Sequence, residues 1–121
     1  MKKLAAILVV ICLLPMAMGA TITLTNTPNP NGNPRQIQGS GSWALANGET
    51  FRSITYQVTL KGGGQSTYGV ILTQPTNGNW SCTLGVIAGT YNPTQVTFKH
   101  LDNNRMIQSV GVTDNKDWVV Q

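Results

Sequence analysis

Charged side chains are scarce in this chain: Asp, Glu, Lys and Arg make up 10% of 121 residues, with a single glutamate, Glu49, and a single histidine, His100. A helical bundle is therefore a poor expectation, because Thr, Asn and Gly stand where helix formers would, and those residues favour strands and turns. Cysteine is almost as rare, with only Cys12 and Cys82. The longest apolar run, Leu4 to Leu14, covers eleven residues, and at ~1.5 Å per helical residue it reaches about half of a bilayer's hydrocarbon core. It is too short to serve as a membrane anchor.

What is present begins with Met1-Lys2-Lys3, that apolar run, Pro15, and the small-residue stretch from Met16 to Ala20. This is the tripartite pattern of a secretory signal peptide. Cleavage after Gly19 places Ala17 at the third position before the cut, giving a signal peptide over residues 1–19 and one domain over residues 20–121. The formal net charge of +4 shrinks accordingly, since Lys2 and Lys3 leave with the signal and six basic residues then face four acidic ones. Those six are scattered with no two adjacent. A nucleic-acid footprint needs a basic patch or stripe, so no nucleic-acid partner is expected, nor any membrane span once the signal is removed.

Cys12 departs with the signal, which leaves Cys82 as the only thiol of the exported chain and excludes an internal disulfide. Cys82 alternates with Trp80, Leu84 and Val86, the pattern of a small buried hydrophobe in a strand. An intermolecular disulfide is the sharper alternative.

Short β-type runs separated by Gly, Pro and Asn clusters continue along the whole domain, the pattern of an all-β sandwich or barrel. Ile22 and Leu24 open it. Ile37, Gly39, Gly41, Trp43 and Leu45 then share one face, and Ile54, Tyr56, Val58 and Leu60 alternate against Ser53, Thr55, Gln57 and Thr59. Later runs cover 68–73, 80–86, 96–101, 106–112 and 118–120, for eight strands in all. Asn47-Gly48 is a strong hairpin signal between two alternating runs. Alternation alone fits equally well a crossing between two sheets that turn those faces into one core.

In order along the chain stand Gly39-Ser40-Gly41-Ser42-Trp43, the strand Ser53 to Leu60, Gly62-Gly63-Gly64, Gly78-Asn79-Trp80-Ser81, Ala88-Gly89-Thr90-Tyr91 and Asp102-Asn103-Asn104. Over roughly residues 36 to 113 this succession resembles the bacterial immunoglobulin-like (fibronectin III-like) domains of exported and surface proteins. The resemblance implies a two-sheet sandwich of seven or eight strands, with the Trp43 and Ile54 strands in different sheets. It also implies a structural role for Tyr91 at a tyrosine corner, while apolar alternation gives Trp43 and Cys82 structural places in the core. Asn92-Pro93-Thr94-Gln95 departs from the pattern. Proline cannot donate to a central ladder, so an interrupted or bulged strand is expected there.

Catalysis is not expected. His100 and Asp102 alternate on one strand, but no nucleophile motif accompanies them, and a surface histidine beside a turn aspartate is the plainer reading. Gly62-Gly63-Gly64 lacks the Lys-Ser/Thr ending of a phosphate loop. Asp102, Asn104, Asp114 and Asp117 offer hard oxygen ligands of the kind calcium takes. If the intervening strand runs the length of the domain, however, their two turns sit at opposite ends, so Asx turns are the better reading and no metal or cofactor is assigned. Trp118, Trp80 and Tyr68 are the candidates for an exposed contact, Trp118 first because it lies near the chain end beside Asp117. The function expected is that of a secreted, periplasmic or cell-surface non-catalytic module for binding, adhesion or structural assembly, its partner a protein or polysaccharide of the cell envelope. The alternative is a carbohydrate-binding module that stacks sugars on tryptophan or tyrosine.

Overall fold

The computed structural model describes residues 19–28, 33–103 and 105–121. Of the signal segment expected over 1–19, all but Gly19 lies outside the described residues, and so does Asn104. The described chain is all-β, with ten strands: β1 (Thr21–Ile22), β2 (Thr25–Pro28), β3 (Gln36–Ala44), β4 (Glu49–Thr59), β5 (Ser66–Ile71), β6 (Asn79–Gly85), β7 (Gly89–Tyr91), β8 (Gln95–Asp102), β9 (Met106–Thr113) and β10 (Trp118–Val120). All pairings are antiparallel. In one sheet β3 is central, with β1 and β2 along one edge and β6 along the other. The second runs β5-β4-β8-β9, and β10 pairs with β7 in a small third sheet.

Alternation decides what each sheet buries. Ile37 and Trp43 of β3 with Trp80 and Leu84 of β6 form one half of the core; Ile54, Tyr56 and Val58 of β4 with Val96 and Phe98 of β8 form the other. Trp43 packs edge-on against Phe51 and Phe98, with ring centroids 5.5 and 5.7 Å away, the geometry that aromatic quadrupoles favour. The two large sheets thus face each other across a single core, in a sandwich-like arrangement.

β3 and β4 share no pairing and lie in different sheets. Asn47-Gly48 therefore carries the chain across the core instead of closing a tight hairpin. Its turn is held by Glu49 N–H donating to Ala46 O at 3.1 Å, and Gly48 takes a φ of +86° that suits glycine.

The first edge contains a local exchange of roles. β1 and β2 keep one register against β3, but between them the Ser42 N–H donates to the Thr23 hydroxyl (2.8 Å) instead of the Thr23 carbonyl. That carbonyl turns inward and accepts the Trp80 indole N–H at 2.9 Å. Only glycine fits beneath it, because a Cβ on Gly41 would lie 2.1 Å from the same oxygen.

The strand containing Pro93 is broken where the sequence places the break. β7 and β8 lie along the same edge of β4, separated by Asn92-Pro93-Thr94. Asn92 N–H still donates to Thr59 O at 2.9 Å, which keeps β7 in line.

Candidate functional site

Proline 93 removes a ladder donor, and the polar groups freed at that interruption gather around one carboxylate. Asp114 Oδ1 accepts the Thr94 backbone N–H at 2.9 Å, while Oδ2 accepts the Thr94 hydroxyl at 3.0 Å and the Trp118 indole N–H at 2.5 Å. Asn26 of β2 donates its amide to the same Oδ2 and accepts the Tyr56 hydroxyl proton on its own carbonyl. The network ties β2, β4, the β7–β8 link and the segment before β10 together through buried Asn26, Tyr56 and Thr94 and half-buried Asp114 and Trp118. Burial holds the Tyr56 phenol well above its ordinary value of 10.0; a Thr94 contact opposes this, and the Asp114 and Cys82 charges reinforce it.

With four donors already on its two oxygens, Asp114 has little left to offer a cation, which corrects its candidacy as a calcium ligand. Asp117 pairs with Lys61. Asp102 is exposed at the far end of β9 from Asp114. Asp102, Asp114 and Asp117 are not brought together, Asn104 lies outside the described residues, and among the described residues no three His, Cys, Asp or Glu gather as a ligand set.

The aromatic candidates separate in the same way. Trp80 is 3% exposed, with its indole on Thr23, so it offers no face to a ligand, a correction to its place among the contact residues. Trp43 is likewise in the core, its indole donating to Asn79 O at 3.2 Å. Trp118 is half-buried, its N–H held by Asp114 and its ring capped by Lys116 Nζ at 4.6 Å from the centroid. A cleft of about 340 Å³ beside it is lined by Leu24, Asn26, Asp114 and Lys116 among others. Tyr68 alone among the three candidates is open, at 58% exposure on the outer face of β5. Register places Gln57, Gln95 and Thr113 in line with it across the four-stranded sheet.

His100 is not the surface residue that its neighbour Asp102 suggests. It lies 3% exposed on the inward face of β8, continuing Val96 and Phe98, and its ring centroid stands 5.2 Å from that of Phe98. Its Nδ1 is 3.1 Å from Glu49 Oε2, close enough for an ion pair when the ring is protonated but not aligned as a hydrogen bond, and among the described residues neither ring nitrogen has a hydrogen-bond partner. The carboxylate beside His100 is therefore Glu49 and not Asp102. Alternation with Val96 and Phe98 was the signal for its burial.

Cys82 is a free thiol, partly buried, and burial pushes its pKa up. Its Sγ occupies the space where a Cβ on Gly69 would be, 2.3 Å away. Tyr91 is buried, and its hydroxyl donates to Ile87 O at 2.7 Å, four residues back. Burial raises its pKa as well, opposed by that bond.

Strand edges are a natural interface for an all-β module, and what the sequence could not give is which strands they are: the open edges of the larger sheet, β5-β4-β8-β9, are β5 and β9. Among the described residues β5 and β9 each pair on one side only, and neither carries a charged residue or a proline. Exposed apolar side chains concentrate beside them: Tyr68, Val70 and Leu72 at one edge, Met106 and Ile107 at the other, leaving Ile87 and Val119 elsewhere among the exposed large hydrophobics of the described residues. Compared with known protein families, curated proteins and solved structures, the chain matches none.

Proposed function

We propose that this chain is an immunoglobulin-like, fibronectin III-like module of an exported protein, and that it works by binding or assembly, without catalysis, through the edges of its larger sheet. The fold part of the reading is supported by the strand order, β1/β2-β3-β6 facing β5-β4-β8-β9, and by the Tyr91 hydroxyl reaching back to Ile87 O, as in a tyrosine corner. The observation that carries the functional part is the pair of uncharged, unpaired edges flanked by exposed apolar side chains. Soluble sandwiches normally blunt such edges with lysine, proline or bulges. An edge left open is a surface on which backbone hydrogen bonds supply affinity and alternate side chains supply selectivity. Of the two partner classes expected, a protein or a polysaccharide of the cell envelope, such an edge favours a protein.

The test is retention of the producing cell's envelope fractions on immobilised protein, comparing polysaccharide and protein eluates. Protein should be retained, and the double variant Val70→Lys/Ser109→Lys should lose it. A second reading, a carbohydrate-binding face, is favoured by the row Tyr68-Gln57-Gln95-Thr113, which sets one stacking ring beside two amides and a hydroxyl. Retention of polysaccharide alone, abolished by Tyr68→Ala, would put that reading first.

A further inference from the structure

The two open edges are complementary to each other, and their polarity fixes how. The bond from Asp114 N–H to Thr94 O (3.0 Å) extends the β8–β9 register by one step. Hydrogen-bonded pairs alternate with non-bonded ones in an antiparallel ladder, so Val112, Val110, Gln108 and Met106 bond to β8. The N–H and C=O groups of Ile107, Ser109, Gly111 and Thr113 therefore point away from the sheet. On the opposite edge the bond from Leu60 N–H to Gln65 O (2.8 Å) plays the same part. Thr67, Gly69 and Ile71 bond to β4, and Ser66, Tyr68 and Val70 point out.

Four strands that alternate in direction end on strands of opposite direction, so β5 is antiparallel to β9. A second copy shifted along the sheet, with no rotation beyond the usual twist, lays its β5 antiparallel to the first copy's β9. Both outward-pointing sets carry their side chains on the same outer face. One register then matches every position: Ser66 opposite Thr113, Tyr68 opposite Gly111, Val70 opposite Ser109 and Leu72 opposite Ile107. Tyr68 covers a glycine that has open space above it, since a Cβ there would meet nothing nearer than 3.9 Å. Leu72 and Ile107, 72% and 52% exposed, cover each other. Cross-strand pairs of this kind are the units of sheet stabilisation.

We propose that the protein self-assembles head to tail, β5 of one copy adding to β9 of the next, so that the four-stranded sheets join into one continuous sheet. The proposal rests on the edge-binding reading above and names a second copy of the chain as the partner. Such a heterologous contact does not close on itself, and it leaves one β5 and one β9 free at the ends of every assembly.

Sedimentation velocity on the purified protein tests this. Wild-type protein should show a weight-average mass that rises with concentration beyond that of a dimer. Val70→Lys blocks β5 and Ser109→Lys blocks β9, so each variant alone should stay monomeric, while an equimolar mixture should form a 1:1 dimer and nothing larger. If either lysine lowers the Tm, Tyr68→Glu and Gly111→Glu block the same two edges. A wild-type protein that stays monomeric, or a mixture of folded variants that does, overturns the proposal. Dimers of Val70→Lys alone also overturn it, because they report symmetric β9–β9 pairing. A monomeric wild type that still retains envelope protein would leave the proposed function standing, whereas assembly without retention would remove the external partner and leave this inference intact.

Discussion

A methyl group at position 41 has no room. Gly41 lies under the Thr23 carbonyl and Gly39 lies against the Tyr56 ring, where an added Cβ would sit 2.1 Å and 2.5 Å from its neighbours. The first neighbour is backbone engaged with Trp80 and cannot swing aside; the second is a ring fixed by its hydroxyl on Asn26. Gly41→Ala and Gly39→Ala should each destabilise the protein by about 1–3 kcal/mol, the usual cost of overpacking. Gly85→Ala, with open space around it, should stay within about 0.5 kcal/mol. Thermal melts of the three variants check the ranking. The alternation Ile37-Gly39-Gly41-Trp43 places both glycines on the inward face from sequence alone. What no sequence pattern announces is the reason for them, because the Tyr56 ring and the Thr23 carbonyl arrive from other strands.

At the scale of elements, the break between β7 and β8 is legible because proline cannot donate to a ladder, and the structure interrupts the strand at Asn92-Pro93-Thr94. The carboxylate that fills the break is not legible: Asp114 lies twenty residues from Thr94 and reads as an ordinary turn residue. A still larger separation in sequence hides Glu49 from His100. Replacing Asp114 with alanine leaves the Thr94 N–H, the Trp118 indole and the Asn26 amide without their acceptor. Each buried donor left unsatisfied costs about 1–3 kcal/mol, so Asp114→Ala should lower the Tm far more than Asp117→Ala, whose partner Lys61 is largely solvated. Urea titrations of both variants should separate them clearly in midpoint. The open edges of β5 and β9 also belong to this scale. Their uncharged composition can be read along the chain, but their being edges at all depends on the order β5-β4-β8-β9, which alternation does not determine.

For the whole molecule, the all-β class and the two faces of the core follow from period-two alternation and turn chemistry, while the choice of partner strands does not. Asn47-Gly48 illustrates the gap, since it satisfies a hairpin signal and yet crosses between sheets. The groups buried between those sheets set an alkaline limit. Tyr56, Tyr91 and Cys82 all bind their protons more tightly folded than unfolded, chiefly through burial. Their contribution is therefore complete below their ordinary values, 10.0 for the tyrosines and 9.0 for the thiol, and declines as pH rises above them. The Tm should fall as pH is raised above that range, and Tyr56→Phe, though less stable at neutral pH through loss of its bond to Asn26, should show a shallower fall. The two ends of the described domain also lie far apart. Thr21 stands opposite Ala44 at one end of β3, and the Gln121 carbonyl is bound by Arg35 just beyond the other. Nine strand residues at ~3.3 Å each separate those ends by about 30 Å. Tension applied through them runs parallel to the strands, so the ladders that hold β1 and β2 to β3 and β10 to β7 are loaded in shear, their bonds together instead of one at a time. Pulled at its ends, the molecule is a stiff link under shear.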